Sequence, residues 1–141
     1  MVLKPEAVRS RLLKLEEIVS GLEELQAVDP AASPRDAWAV ERGLQLACEV
    51  ALDIGNHILS AHFGVSAQDY EDILEQLARH GVLPRETRER LKGLGGFRNI
   101  LVHDYLRLDP NLVATKLTRA PQDFSEFALA VRRWLEEALR G

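Results

Sequence analysis

Four polar side chains that could do chemistry lie within residues 98–105, whose sequence is RNILVHDY. They are Arg98, Asn99, His103 and Tyr105. A guanidinium binds phosphate oxygens through paired hydrogen bonds, and an imidazole exchanges protons near neutral pH. The residue types therefore indicate a site that acts on a phosphate ester.

These two kinds of side chain suit cleavage of RNA without a metal ion. Neutral His103 can take the proton from a ribose 2′-hydroxyl, and its protonated form can give a proton to the leaving 5′-oxygen. Arg98 can neutralise the charge that builds up at phosphorus in the transition state. Because the 2′-hydroxyl is the nucleophile, such a site would cut RNA but not DNA and leave a 2′,3′-cyclic phosphate. Neither a metal nor another cofactor is expected.

The spacing of these residues does not by itself establish catalysis. Positions five apart lie about 140° around an ideal helix. Arg98 and His103 would therefore reach one small ligand only if the helix is distorted, ends nearby, or is joined by a second copy. Asn99 and His103, by contrast, lie one turn apart on the same face. An ordinary helix cap with a surface ion pair is the competing interpretation.

Helical periodicity dominates the chain, and strand-like alternation is nearly absent. Apolar residues recur at spacings of three and four through residues 5–27, which predicts a first helix that ends before Pro30. Ser33 is a good N-cap for a second helix that runs to about His62. The length of this second helix suggests a central position with contacts on several faces.

The next helices are shorter and lead into the polar stretch. A third helix is predicted to begin at Ser66, and a fourth at Pro84. Gly93, Gly95 and Gly96 interrupt the fourth helix just before Arg98. Since an interior glycine costs up to about 1 kcal/mol of helix propensity, three of them indicate close backbone packing or a local distortion.

The C-terminal part contains two further helix signals. Pro110 marks a corner with a short helix to Leu117 expected after it, and Pro121 opens the last helix, which runs to about Leu139. The predicted fold is all-α: an up-and-down bundle of four main helices plus one or two short helices. Residues 1–141 are expected to form a single domain.

Composition limits the possible partners. The chain has 141 residues, of which 46% are hydrophobic and 28% charged, and this is ordinary for a globular domain. Its net charge of −4 means that RNA binding would need a local basic patch, although a basic protein partner would suit it equally well. Four basic residues between positions 85 and 92 could extend such a patch. The two glutamates among them make a solvated helix face at least as reasonable.

No feature of the sequence places the chain in or across a membrane. Nowhere does it contain the roughly 18 consecutive apolar residues of a membrane span, and its start lacks the apolar segment of a signal peptide. The single cysteine, Cys48, cannot form an intrachain disulfide, which fits a reducing compartment. A cytoplasmic protein is expected. Cys48, Trp38 and Trp134 occupy predicted core positions.

A polar stripe on the second helix offers a different kind of site. Glu49, Asp53 and His57 follow one another at intervals of four residues. A metal could be held there, but one histidine and two carboxylates on one helix are not a convergent ligand set. A solvated or inter-helix polar stripe is the preferred interpretation, and support of a neighbouring cleft is an intermediate one.

The string FRNILVHDY, residues 97–105, resembles the signature of HepT-like proteins, a branch of the HEPN superfamily. That signature is an arginine, usually followed by a polar residue such as asparagine, then a histidine after four intervening positions and a tyrosine two later. The likeness extends to residues 41–58, which resemble the family's long second helix, and to the lead-in LKGLGGF at residues 91–97. Leu83-Pro84 and the corner at Leu108-Asp109 also fit, so the resemblance covers nearly the full chain.

The resemblance implies an endoribonuclease toxin of a toxin–antitoxin pair, acting on RNA, tRNA included. It implies a homodimer in which the motifs of both subunits line a shared cleft, with Arg98 and His103 as the catalytic pair and Asn99 as a supporting residue. It also implies an MntA-type nucleotidyltransferase antitoxin that attaches AMP to Tyr105. An AMP phosphate there would compete for the arginine and repel substrate phosphates.

Two other functions remain open at this point. The first is a non-catalytic helical subunit that docks a nucleotidyltransferase and can hold a nucleotide between helices, which would explain the acidic charge without an RNA surface. The second is a purely structural helical adaptor. The nuclease hypothesis alone explains why Arg98, Asn99, His103 and Tyr105 are all present in the family order.

Overall fold

In the computed structural model, which describes residues 2–141, all the regular secondary structure is helical and these residues contain no strand. The α-helices are α1 (Pro5–Glu24), α2 (Pro34–Ile58), α3 (Tyr70–Arg79), α4 (Arg85–Arg90), α5 (Leu94–His103) and α6 (Pro110–Arg140). Short 3-10 turns follow α1 at Leu25–Ala27 and α5 at Tyr105–Arg107, and a π turn at Leu59–Phe63 extends α2.

The three long helices form the centre of the bundle. Each of α1, α2 and α6 packs against the other two, while α3 and α5 pack against α2 and against each other. The short helix α4 packs against both α3 and α6. Buried apolar side chains from five helices, all except α4, join one cluster, and Leu91 just after α4 belongs to it too. The predicted all-α bundle is confirmed. Within residues 2–141 no helix is long and apolar enough to cross a membrane.

The second helix begins where the sequence predicts. The Ser33 hydroxyl accepts a hydrogen bond from the Asp36 N–H at 3.1 Å and so caps the first turn. The π turn carries the helix as far as Phe63, and Gly64 ends it with a positive φ of 65°. Both ends therefore agree with the prediction.

The third and fourth predicted helices need correction. Helix α3 begins at Tyr70 and not at Ser66, because it is Asp69 whose carboxylate accepts the Asp72 N–H at 2.7 Å. The predicted fourth helix is two helices, α4 and α5. Gly93 lies between them with φ at +88°, a left-handed conformation that no α-helix continues through.

The prediction that the last helix begins at Pro121 is wrong. Helix α6 runs without interruption from Pro110 to Arg140, with Pro121 inside it. Proline has no N–H to donate to the carbonyl four residues earlier, which here belongs to Leu117. The side-chain amide of Gln26, in the 3-10 turn that follows α1, donates to that carbonyl at 3.0 Å. The missing hydrogen bond is thus replaced from another helix, and α6 continues.

The two tryptophans differ in their surroundings. Trp134 is half-buried and its ring meets those of His62 and Phe63. Trp38 is 68% exposed, so its predicted core position is wrong. The physical reason is its position on α2: it lies about 160° around the helix from the fully buried Val40, two residues away.

Candidate active site around Arg98

Helix α5, which carries the polar stretch, is held at its start by a carboxylate from α3. Glu71 accepts the Gly93 N–H at 3.0 Å through one oxygen and the Gly95 N–H at 2.8 Å through the other. The first N–H groups of a helix have no partner within it, so Glu71 serves as the cap. A Cβ on Gly95 would lie 2.7 Å from the Cβ of Tyr70. The close backbone packing predicted from the glycines is therefore found at Gly95.

Arg98 is fixed by three neighbours on one side of α5. Its Nη2 donates to a carboxylate oxygen of Glu49 on α2 at 3.1 Å, and its Nη1 donates to the Asn99 side chain at 3.3 Å. The guanidinium carbon lies 5.0 Å from the centre of the Tyr70 ring, which is cation–π distance. The Arg98 side chain is 17% exposed. An incoming phosphate would have to compete with Glu49 for this cation.

Arg98 and Asn99 open onto a cleft of about 560 Å³ between α2, α3 and α5. The cleft has an apolar wall and a polar rim. Its lining residues are Glu49, Leu52, Asp53, Asn56, Ala67, Gln68, Asp69, Tyr70, Ile73, Arg98 and Asn99. His103 and Tyr105 are not among them.

His103 and Tyr105 lie at the far end of α5. His103 is the last residue of the helix and is exposed, and Tyr105 is 73% exposed in the turn that follows. Since α5 is regular up to His103, the angle of about 140° between Arg98 and His103 is kept. One chain thus brings Asn99 to Arg98 but leaves the imidazole on another side of the helix.

Two residues beside Arg98 were not predicted as parts of a site with it. The sequence places Glu49 in the polar stripe on α2, and its contact with Arg98 of α5 agrees with the interpretation of that stripe as an inter-helix one. Tyr70 has no sequence signal at all, because nothing local relates it to a residue 28 positions later.

The other two members of the stripe do not join a metal site. Asp53 lines the cleft, but His57 does not, and instead its Nε2 accepts the backbone N–H of Lys4 at 3.3 Å. Burial lowers the pKa of His57, and the charges of Arg11 and Lys4 lower it further. Among residues 2–141 no three His, Cys, Asp or Glu side chains are grouped so that they could hold a metal.

The basic residues before the motif are used in ion pairs between helices. Arg85 and Arg88 both bind Glu75 of α3, at 2.8 and 3.3 Å. Arg90 binds Asp123 of α6 at 2.7 Å. A hydrogen bond from Arg85 lowers the pKa of Glu75. These arginines therefore stabilise the position of α4 and add little free positive charge for RNA.

Cys48 has the properties of a core residue. It is buried, and burial raises the pKa of its thiol to about 12. A thiol in that state is not a nucleophile at neutral pH.

The helical fold is shared with proteins of known structure. A solved structure of a tri-AMPylated HEPN toxin from Shewanella oneidensis in complex with its MNT antitoxin superimposes with a TM-score of 0.80 and 23% sequence identity, covering 89% of this chain and 96% of the toxin chain. The model of the family described as "Ribonuclease HepT-like" matches residues 10–131. This chain belongs to that family, and the predicted enzyme class, a ribonuclease, is the family's.

Two relatives with assigned activities are similar over much of the chain. The tRNA nuclease HepT of Aphanizomenon flos-aquae is 28% identical over 137 residues, which cover 94% of this chain and 92% of the relative. The mRNA nuclease HepT of Shewanella oneidensis is 33% identical over 84 residues, which cover 60% of this chain and 63% of the relative. The two relatives are named for different RNA classes.

Proposed function

We propose that this protein is a metal-independent endoribonuclease and the toxin of a toxin–antitoxin pair, with Arg98 and His103 as its catalytic residues. The observation that carries the proposal is the fixed guanidinium of Arg98 at the wall of a cleft, on the same short helix as an exposed histidine. Membership of the ribonuclease family supports the reaction class. In this proposal, residues 1–141 form one HepT-like domain and the protein acts in the cytoplasm.

The reaction would divide its tasks between two side chains. The His103 imidazole removes the proton of the ribose 2′-hydroxyl, whose oxygen attacks the adjacent phosphorus. Arg98 binds the non-bridging oxygens, where negative charge grows, and Asn99 holds one edge of the guanidinium in position. The bond to the 5′-oxygen breaks, that oxygen takes the proton that the His103 imidazolium now carries, and a 2′,3′-cyclic phosphate remains.

A second copy of the chain is part of the proposal. In one chain Arg98 and His103 lie about 140° apart around α5, too far round to meet one phosphate. A two-fold axis beside α5 would bring the histidine of one copy towards the arginine of the other. Leu106 is 88% exposed just after the motif, and such an apolar side chain is a suitable contact for the homodimer.

Tyr105 is the proposed site of control. Its exposed side chain leaves the hydroxyl open to a modifying enzyme, and we assign the antitoxin role to an MntA-type nucleotidyltransferase that transfers AMP to it. The S. oneidensis toxin of the same fold is AMPylated in its complex, which supports this assignment. The added phosphate would compete with substrate for Arg98.

Cleavage of total cellular RNA, tRNA included, by the purified protein in EDTA tests the proposal. The wild type should yield fragments that end in 2′,3′-cyclic phosphate, and His103→Ala should yield none. His80→Ala is the matched control, because His80 is another exposed histidine at a helix end and lies outside the cleft. Equal cleavage by the wild type and His103→Ala would contradict the assignment of the histidine.

A second function is favoured by the charge distribution. Three of the four basic residues before the motif are bound in ion pairs, in a chain of net charge −4. This suits a non-catalytic helical subunit that docks a nucleotidyltransferase and holds a nucleotide. Absence of RNA cleavage by the wild type, together with a stable complex with such an enzyme, would select this function.

A further inference from the structure

The cleft beside Arg98 has the volume and the lining of a site that binds a small molecule. Its volume of about 560 Å³ lies within the range of small-molecule sites, about 300–1,000 Å³. Leu52, Ala67 and Ile73 form an apolar wall, and Tyr70 adds an aromatic face. Nucleobases of single-stranded RNA bind to surfaces of this kind by stacking.

The charges around the cleft make one end suitable for the phosphate of a nucleotide and the remainder suitable for its base. Glu49, Asp53 and Asp69 line it, and Arg98 is the one cation among its lining residues. A phosphate can therefore bind at the Arg98 end and is repelled from the remainder. A neutral base with N–H donors suits the remainder, because carboxylates only accept hydrogen bonds.

Two side chains on α2 are placed to read the edge of such a base. Asp53 and Asn56 are three residues apart and so share one face of the helix. Both side chains are exposed and line the cleft. An acceptor pair and an amide donor thus stand side by side at the rim of the cleft.

We infer that this cleft is a nucleobase pocket that selects guanine next to the scissile phosphate. Among the four RNA bases, guanine alone presents two adjacent N–H donors beside a carbonyl oxygen. The Asp53 carboxylate accepts both N–H groups, and the Asn56 amide donates to the oxygen. The inference rests on the proposed nuclease and adds the base that it recognises.

Four DNA oligonucleotides that each contain a single ribonucleotide (G, A, C or U) test the specificity, because each has one 2′-hydroxyl and can be cut at one place. The wild type should cut the G substrate at least about fivefold faster in kcat/KM than the others, since a bidentate base contact discriminates by about 1–3 kcal/mol, which is about five- to 150-fold. Asp53→Asn should lose the preference, because its amide replaces one acceptor by a donor.

The control variant is Glu23→Gln, which removes one negative charge from an exposed position on α1. It should keep the wild-type preference for the G substrate. Equal cutting of the four substrates by the wild type would overturn the inference, as would an equal loss on all four in Asp53→Asn.

A binding measurement separates this inference from the nuclease proposal. Deoxyribonucleotide trimers with a central G, A, C or T lack the 2′-hydroxyl and cannot be cut, so calorimetric titration of them measures the pocket alone. If no RNA is cut but the G trimer binds more tightly and Asp53→Asn abolishes the difference, the nuclease proposal fails and the pocket stands. If RNA is cut without base preference and the trimers bind equally, the pocket fails and the nuclease stands.

Discussion

Arg98 is the residue on which the proposed chemistry depends most, and its neighbours explain why a lysine could not replace it. Glu49 and Asn99 each accept a hydrogen bond from one terminal nitrogen of the guanidinium, while its central carbon lies over the Tyr70 ring. A lysine would keep the charge but lose the planar geometry that holds two phosphate oxygens. The contacts make Arg98 a preorganised group and not merely a positive charge.

Arg98→Lys should therefore lower kcat/KM for RNA cleavage by about a hundredfold, the loss typical of removing one preorganised donor to transition-state charge. Single-turnover cleavage of a defined RNA measures it. Arg9→Lys, at an exposed pair on α1, is the control and should cleave as the wild type does. A loss of less than threefold at Arg98, about 0.6 kcal/mol, would mean that charge alone is used there.

At the residue scale, the sequence predicts features that depend on neighbouring positions in one helix better than it predicts contacts between residues of different helices. The meeting of Arg98 and Asn99 at one cleft follows from their adjacency, and the buried state of Cys48 follows from helical periodicity. Glu49 and Tyr70 come from other helices, and their approach to Arg98 depends on how the helices pack. No periodicity within one helix contains that information.

At the scale of elements, α5 depends on its contact with α3. The helix has no side-chain cap of its own. Glu71 of α3 accepts hydrogen bonds from two N–H groups at the start of α5. Gly95 permits the approach because it has no Cβ to meet Tyr70. The neighbouring Gly96 has no heavy atom within 4 Å of the place where its Cβ would be.

These two glycines give a matched pair of variants. Gly95→Ala should lower the free energy of unfolding by about 1–3 kcal/mol, because the new methyl group would displace α5 from α3. Gly96→Ala should raise it by up to about 1 kcal/mol, because alanine restricts the unfolded chain and meets nothing in the folded one. Urea denaturation of both variants measures the difference. Equal changes in the two would mean that Tyr70 gives way at little cost.

Helix boundaries were predictable where the signal is local. Ser33 capping its own helix is such a case, and the start of α2 is predicted correctly. The predicted start of α3 at Ser66 is wrong, because Ser66 and Asp69 are both good N-caps and the local sequence does not show which of them caps the helix. The break at Gly93 requires a left-handed backbone that a glycine permits but does not impose.

At the scale of the whole molecule, an ion pair joins the first and last helices. Arg132 of α6 binds both carboxylate oxygens of Glu16 on α1, at 2.6 and 3.0 Å. The hydrogen bond from Arg132 lowers the pKa of Glu16 from its ordinary value of 4.5. A carboxyl whose pKa is lowered on folding stabilises the folded state above its ordinary pKa, and this contribution is lost as the pH falls through the lowered value.

Glu16→Gln should accordingly reduce the free energy of unfolding at pH 7 by about 0.5 kcal/mol, the usual size for a partly exposed pair. The difference from the wild type should shrink below pH 4.5 and vanish once Glu16 is protonated in the folded state as well. Urea denaturation between pH 3 and pH 7 measures it. Glu17→Gln, beside it but with a looser pair to Lys14 at 3.6 Å, is the control. A constant difference across this pH range would exclude the ion pair as the cause.

The overall fold was the most predictable level, because long amphipathic helices with short connections leave few arrangements other than a bundle. The proposed homodimer is the level of structure least predictable from the residues of one chain. It follows from the resemblance to HepT-like proteins and from the angle between Arg98 and His103, and no periodicity in one chain could have indicated it.

The continuity of α6 through Pro121 has a consequence for the order in which the protein matures. The carbonyl of Leu117 receives its hydrogen bond from Gln26, so the two halves of α6 are joined fully only when α1 is seated beside them. During translation Gln26 leaves the ribosome early, and Leu117, whose carbonyl accepts its hydrogen bond, is made 91 residues later. The bundle therefore closes late, and a nascent chain stalled before α6 would hold an unfinished bundle that lacks one of its three long helices.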